Sequence, residues 1–466
     1  VAGAECTTTA PNAFRGRILA LHLTGRTRVT EQSLVDSGRN LDPWYGSYAD
    51  RTQGLSVSEV RALFAVASRP EVVSMAGGSP FVAALPPDVV DAAYASMMAK
   101  HRNAALQYGG GQGIPEIRDQ IVEILALEGI TDASRDDIVT TTGSQHAIDL
   151  VCKLFINPGD VIIAESPSYV GALGTFASYQ ANVVHVEMDE QGLVPEALEE
   201  AIATLRAEGR PIKFLYTIPT FHNPGGTLLP LERRERVLEI CQRERILIVE
   251  DNPYGQLYFG APPPPAIRSM DAEGVIYLGT FSKILSPGVR VGFALAPHAI
   301  REKLILAVES SILSPSTMNQ WLVTEYLRST DWQAQIATYR DVYRERRDAL
   351  DRALRAEFPT FQWTTPEGGF FVWLQLPEPL DSKHLLPRAV KELVAFTPGT
   401  AFYSDGRGRQ AMRLAFCTES PERLELGVRR LGNVINGELE LIETFGGLPM
   451  RFRDSQGVST PPSDTK

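Results

Sequence analysis

Lys283 stands in Thr280-Phe281-Ser282-Lys283, just past the apolar run 275–279 and shortly before Pro287-Gly288-Val289-Arg290-Val291-Gly292. A lysine beside small hydroxyls at the end of a buried strand is a candidate for a depressed pKa and for imine formation with an aldehyde. Ser282 and Arg290 add a hydroxyl and a forked cation that suit a phosphate. The competing role is a solvated surface charge, the commoner fate of a lysine. Asp251 follows another apolar run, 246–249, within Glu250-Asp251-Asn252-Pro253-Tyr254. A carboxylate there gains nothing from burial unless it is paired. A protonated pyridine nitrogen is one such partner; an ordinary arginine or a loop cap is another. Tyr254, a short turn onward, is placed to reach a different edge of the same ring.

Two further segment ends carry polar clusters. After the β-branched run 138–142 come Gly143-Ser144-Gln145, opening a helix. Backbone N–H groups and two hydrogen-bonding side chains at a helix N-terminus suit a phosphate, and a serine cap after a glycine turn is the plainer reading. After 212–218 comes the Pro- and Gly-dense turn Pro219-Thr220-Phe221-His222-Asn223-Pro224-Gly225-Gly226. Asn223 could donate from it to an anionic ring oxygen, or the segment could be a turn and nothing more. Singly these signals are weak. Together they put an anion site, a ring-oxygen donor, a nitrogen partner and an imine lysine at strand ends, where α/β sheets bind ligands, and one cofactor needs that whole set.

The fold must bring those ends together. Short apolar segments at 138–142, 161–164, 183–188, 212–218, 246–249, 275–279 and 291–296 alternate with helical stretches at 144–155, 195–207 and 231–244. This pattern predicts an α/β fold with a mostly parallel sheet covered on both faces. A long helical region over 298–358 follows, then strand-like 368–376 and 411–416 and a closing helix from Pro421, which predict a smaller α+β domain. The expected division is a large domain at 105–345 and a small one made of 56–104 and 346–440. Residues 1–50 are expected to be a poorly ordered extension and 447–466 a disordered tail.

Composition narrows the function. The chain has 466 residues, 44% of them hydrophobic, enough to bury more than one core. Its net charge of −11, without a basic run, argues against a nucleic-acid partner. Cys6, Cys152, Cys241 and Cys417 lie far apart with no C-x-x-C pair, and no H-E-x-x-H occurs, so neither a disulfide framework nor a metal is expected. No apolar stretch reaches the length of a membrane span. A cytoplasmic location is expected. Gly109-Gly110-Gly111-Gln112-Gly113 lacks both the dinucleotide-binding spacing and a closing G-K-[ST], and reads as a turn near the active site.

Taken in order, Gly143-Ser144-Gln145, Asn223-Pro224-Gly225-Gly226, Glu250-Asp251-Asn252-Pro253-Tyr254, Ser282-Lys283 and Arg413 resemble the class I/II aminotransferases of the pyridoxal-phosphate-dependent fold type I, over roughly residues 56–440. Met75-Ala76-Gly77-Gly78-Ser79-Pro80, Gln107-Tyr108-Gly109 and Pro366-Glu367-Gly368-Gly369-Phe370-Phe371 resemble the branch holding aminoadipate/kynurenine aminotransferases, multi-substrate aminotransferases and the enzyme-like domain of MocR regulators. The resemblance implies a mostly parallel seven-stranded sheet in the large domain and pyridoxal 5'-phosphate as cofactor. It implies ping-pong transfer of an amino group between an L-amino acid (aromatic, aminoadipate-like or branched-chain) and a 2-oxo acid such as 2-oxoglutarate. Position by position, Lys283 would carry the cofactor, Asp251 would pair with its ring nitrogen, and Asn223 and Tyr254 would contact its ring hydroxyl. Ser144, Gln145, Ser282 and Arg290 would hold the phosphate and Tyr169 would stack on the ring. Arg413 would clamp the substrate carboxylate, with Gly78, Asn223 and Arg61 also on the substrate side. Tyr108 would reach the phosphate of a neighbouring subunit, making a homodimer with active sites at the interface.

The pattern departs from its relatives at Ser79, where an apolar residue is usual, and no Asn follows Pro80, which leaves side-chain selectivity open. Phe81, Leu85, Phe370 and Tyr403 are candidates for the substrate pocket, with core packing the competing role. Two other functions use the same scaffold. One is a lyase or decarboxylase. The other is a MocR-type ligand-binding domain, which would carry a helix-turn-helix ahead of the fold; no such pattern is evident in the first fifty or so residues.

Overall fold

A computed structural model describes residues 42–55 and 69–445. The expectations for residues 1–41, for Arg61 and for the tail 447–466 lie outside the described residues. The chain separates into Val1–Thr52 and Gln53–Lys466. In the first unit the described residues carry one short 3-10 turn, Tyr45–Ser47, and a second begins at Asp50.

The second unit holds strands β1 (Val73–Ser74), β2 (Ile138–Thr141), β3 (Val161–Ser166), β4 (Asn182–Asp189), β5 (Gly192–Leu193), β6 (Ile212–Thr217), β7 (Leu247–Asp251), β8 (Val275–Thr280), β9 (Gly292–Leu295), β10 (Gln362–Trp363), β11 (Phe371–Gln375), β12 (Val394–Ala395), β13 (Thr397–Pro398) and β14 (Ala411–Ala415). Eight of them form one sheet in the order β2-β9-β8-β7-β6-β3-β4-β5. The pairs β8/β7, β7/β6, β6/β3 and β3/β4 are parallel, while β9 is antiparallel to both neighbours. The seven strands expected are there, and the eighth is a two-residue return, Gly192–Leu193, antiparallel to the end of β4. Because β9 opposes both β8 and β2, β2 runs the same way as β8. The C-terminal ends of β2, β3, β6, β7 and β8 therefore share one edge.

Alternation along the strands explains the layers. Ile162, Phe214, Tyr216, Val249, Ile276 and Leu278 point to one face, under helices Ser144–Phe155, Val170–Ser178 and His298–Ile312. Ile163, Leu215, Ile248 and Val275 point to the other, under Pro195–Ala207 and Leu231–Glu244. With both faces covered, the strands read as continuous apolar runs. The helix Val170–Ser178 is absent from the sequence-based expectation because Val-Gly-Ala-Leu-Gly-Thr-Phe-Ala-Ser shows no polar face. The region 298–358 is three helices, His298–Ile312, Thr317–Ser329 and Trp332–Glu357. The second and third start at side-chain caps: Ser316 accepts from the Asn319 N–H and Asp331 from the Ala334 N–H.

A second sheet, β10-β11-β14-β13, is antiparallel throughout. Val372, Leu374, Met412 and Leu414 join Leu350, Leu354, Leu385, Leu424, Val428 and Leu431 of helices Trp332–Glu357, Ser382–Lys391 and Pro421–Phe445 in one core. Helix Trp332–Glu357 runs unbroken across position 345, where the sequence suggested a division. The β1/β12 pair is parallel, and the Ala415 N–H donates to the Met75 carbonyl at 2.8 Å, so the chain near Gly78 is tied to the same small sheet.

Candidate active site

At the shared edge of the large sheet lies a cavity of about 400 Å³. Lys283, Asp251, Tyr254, Ser144, Gln145, Tyr169, Asn223, Ser282, Arg290, Arg413 and Gly78 all line it. Of the residues singled out in the sequence, Tyr108 is not in its lining and is 78% exposed, and Arg61 lies outside the described residues.

Each side chain arrives from a strand end or from β14. Asp251 closes β7 and is 2% exposed. Its Oδ2 accepts from the Tyr216 hydroxyl at 2.8 Å, while its Oδ1 has no hydrogen-bond partner among the described residues. Burial pushes its carboxyl up to about 7, against the opposing effects of the Tyr216 hydrogen bond and the Lys283 charge. Lys283 follows β8, and its Nζ donates to the Gly78 carbonyl at 2.8 Å. Burial brings its amine down to about 8, so a neutral amine is accessible near physiological pH. Tyr254, 2% exposed, packs edge-to-face on Phe370 and Phe371, and burial pushes its hydroxyl upward.

The opposite end of the cavity is built for an anion. Gly143 precedes helix Ser144–Phe155 with φ +94°, and a Cβ there would sit 2.6 Å from Arg290 Nη2, so the guanidinium packs directly on the glycine backbone. Arg290 donates through Nη2 to the Thr142 carbonyl at 2.6 Å. Ser144 Oγ is buried without a partner among the described residues, and Ser282 Oγ accepts from Thr280 Oγ1 at 3.0 Å. The leading N–H groups of the helix add partial positive charge. The Gln145 side chain is occupied elsewhere. It donates to the Gly171 carbonyl and to Thr175 Oγ1, and accepts from the Tyr169 hydroxyl at 3.2 Å, so it holds Tyr169 in place.

Arg413, on β14, is 3% exposed. It donates to Asn223 Oδ1 at 2.9 Å and to the Ala76 carbonyl at 2.7 Å, and its Nε has no partner among the described residues. Phe371 and Phe402 lie 4.2 Å and 4.8 Å from its guanidinium carbon. Burial lowers it to about 10, and it is still a cation at neutral pH.

Phe81, Leu85, Phe370 and Tyr403 do not line this cavity: Phe370 and Leu85 are core residues and Phe81 packs against the core. Tyr403 belongs to a larger cavity of about 730 Å³ beyond Gly225 and Gly226, which also takes in Trp363 and Trp373. Among the described residues the lining of that space holds no lysine or other nucleophilic amine. Asp189 there is paired with Arg233, and Glu190 and Glu367 are exposed, so volume alone does not locate the chemistry. Sequence reasoning missed Tyr216. An aromatic in the middle of a buried strand reads as core, and only the alignment of β6 beside β7 shows its hydroxyl meeting Asp251. It also missed Glu165 and His222, both 1% exposed. Glu165 accepts from Thr217 Oγ1 and the Ile218 N–H, His222 Nε2 lies 3.1 Å from it, and His222 Nδ1 accepts from the Gly225 N–H.

The sequence profile of the family described as Aminotransferase class I and II matches residues 73–431. An aromatic-amino-acid aminotransferase of Thermococcus litoralis is 39% identical over 84% of this chain and 95% of its own length. A 2-aminoadipate transaminase of Thermus thermophilus is 36% identical over 86% of this chain and 99% of its own. Among solved structures, the kynurenine aminotransferase of Pyrococcus horikoshii, crystallised with PMP, superposes with a TM-score of 0.82 at 35% identity, covering 86% of this chain and 99% of that one.

Proposed function

The chain belongs to the class I and II aminotransferase family, whose cofactor is pyridoxal phosphate, and from that premise we propose specific roles for its residues, a substrate range and an assembly. The observation that carries the reading is the lone Oδ1 of Asp251 in the same cavity as Lys283 Nζ. A buried carboxylate oxygen without a donor is costly unless a ligand supplies one, and a pyridinium N–H is such a donor. The unpartnered Ser144 Oγ beside Arg290 and the helix N-terminus fits the phosphate at the other end.

When bound, pyridoxal phosphate supplies an aldehyde for the substrate amine and a ring that takes up electron density from Cα. Lys283 would be the amine that holds the cofactor and, once free, the group that takes the proton from the substrate Cα as a base and returns it as an acid. An amine whose midpoint burial brings down to about 8 has both its neutral and its protonated form within reach near physiological pH, one for each task. Asp251 would pair with the ring nitrogen and favour its protonated form. Tyr254 and the amide of Asn223 would donate to the ring oxygen, and Tyr169 would cover the ring face. Ser144, the Gln145 backbone, Ser282 and Arg290 take the phosphate. Arg413 would grip the substrate carboxylate and so orient the substrate in the cavity. Gly78 keeps the substrate side open, since a Cβ there would lie 2.5 Å from the Phe371 ring.

The relatives named above act on aromatic amino acids, aminoadipate and kynurenine. The corresponding proposal is ping-pong transfer from aromatic, aminoadipate-like or branched-chain L-amino acids to 2-oxoglutarate. Residues 105–345 would form the cofactor domain and 56–104 with 346–440 the smaller one, with Arg61 near the substrate. Tyr108, exposed in one chain, would meet the phosphate of a second subunit in a homodimer. The buried, unpaired thiols of Cys152, Cys241 and Cys417 suit a reducing cytoplasm. Among the described residues no helix is long and apolar enough to cross a membrane.

The test is product analysis with a panel of donors and 2-oxoglutarate. Stoichiometric formation of a new 2-oxo acid and glutamate is expected. Release of carbon dioxide, or loss of the donor without a matching glutamate, contradicts amino transfer.

A further inference from the structure

Tyr216 is 0% exposed on β6, and its ring packs edge-to-face on Phe176 at 5.4 Å. A phenylalanine would fill that ring space equally well, so packing does not account for the hydroxyl. That hydroxyl lies 2.8 Å from Asp251 Oδ2, and Oδ1 is the oxygen left for a ligand. We propose that Tyr216 is a positioning residue that holds Asp251 as a carboxylate with Oδ1 presented to the cofactor ring nitrogen, an inference resting on the pyridoxal-phosphate reading above.

The surroundings of Asp251 single out this bond. The groups facing it are Tyr216 from β6, Lys283 from the segment after β8, Tyr169 from the segment after β3 and Tyr254 from its own loop. Lys283 directs its hydrogen bond to Gly78, and the Tyr169 hydroxyl is turned to Gln145. Among the described residues Tyr216 alone donates to the carboxylate. A donor stabilises the charged form of an acid, and burial here works the other way. The balance sits close to neutral pH, where losing one charge-assisted bond moves the protonation midpoint by about one pH unit. A protonated Asp251 no longer pairs with a pyridinium, so electron withdrawal by the ring weakens.

Tyr216→Phe keeps the ring and removes the donor. Tyr277→Phe is the control: it also deletes a buried hydroxyl that meets a carboxylate, that of Glu128, on the next strand but one and outside the catalytic cavity. Both are reconstituted with pyridoxal phosphate. The readouts are the cofactor dissociation constant against pH and the acid limb of kcat/KM for an amino donor. The expected result for Tyr216→Phe is an intact lysine-linked chromophore, about tenfold weaker cofactor binding at pH 7 and an acid limb displaced upward by about one pH unit. Tyr277→Phe leaves the limb in place. Equal limbs and affinities in Tyr216→Phe and the parent, or the same displacement in Tyr277→Phe, overturn the proposal. A parent protein that forms no lysine-linked chromophore overturns the underlying cofactor reading instead, and the two failures are told apart by that spectrum.

Discussion

Arg413 donates to Asn223 Oδ1 at 2.9 Å, joining the small-sheet strand β14 to the loop after β6 of the large sheet. The contact commits the oxygen of the amide, so what Asn223 has left for a ligand is its NH2. One side chain thus fixes both the polarity of its neighbour and the direction of its own fork.

Arg413→Lys removes that geometry, because an ammonium is a point charge without paired parallel donors. The substrate carboxylate is held less firmly and Asn223 is freed to turn. Steady-state kinetics should show a raised KM for the amino donor and kcat/KM reduced by about a hundredfold. An unchanged KM would remove Arg413 from the substrate site.

Asp251 gives the cofactor-free protein a pH signature. Its carboxyl rises from 3.8 unfolded to about 7 folded, so between those values the folded state binds more protons. Stability contributed at this site is therefore lost as pH rises through that window. Glu128 and Glu250, also pushed up by burial, act in the same sense in any variant that keeps them. Urea unfolding of cofactor-free Asp251→Asn should accordingly decline less between pH 5 and 7 than that of the parent. Parallel curves would contradict the buried, unpaired oxygen.

His222 and Glu165 form a buried support under the Asn223 loop. His222→Leu strands the Gly225 N–H and removes the imidazole beside Glu165, whose two oxygens keep the Thr217 and Ile218 donors, a loss of about 1–3 kcal/mol in denaturant unfolding. His222→Gln keeps a donor toward Glu165 and should lose less. The leucine variant should also raise KM through Asn223 while retaining the lysine-linked chromophore. An equal loss in both variants would mean the Glu165 contact contributes nothing.

Gly143 is held at φ +94°, ψ 165°, a region essentially reserved for glycine. Gly143→Ala should cost about 1–3 kcal/mol in strain and displace Arg290 from the anion site. A denaturant midpoint and a cofactor titration should both fall. Unchanged cofactor affinity would separate Arg290 from phosphate binding.

Much of this site was legible in the sequence because its residues sit in short runs after apolar strands. Gly143-Ser144, Asn223, Asp251 and Ser282-Lys283 each follow a segment that the alternating pattern predicts, and a parallel arrangement brings those ends to one edge. What stayed hidden depends on distance across strands. Tyr216 looks like core because its ring is core, and its hydroxyl acquires meaning only from β7 alongside. His222 lies inside a motif already explained as a turn, and its partner Glu165 is a chain neighbour only in space. The antiparallel course of β9 left no trace either, since a four-residue run buried on both faces, Gly292–Leu295, reads the same in both directions.

Every role proposed here depends on a covalent bond at one amine, Lys283 Nζ. Protein supplied with pyridoxal phosphate is reduced with borohydride, digested and mapped, alongside Lys283→Ala. A reduced pyridoxyl group on the peptide containing Lys283, absent from the variant together with turnover, is the result predicted. A label on another lysine, or none in the parent, contradicts the account.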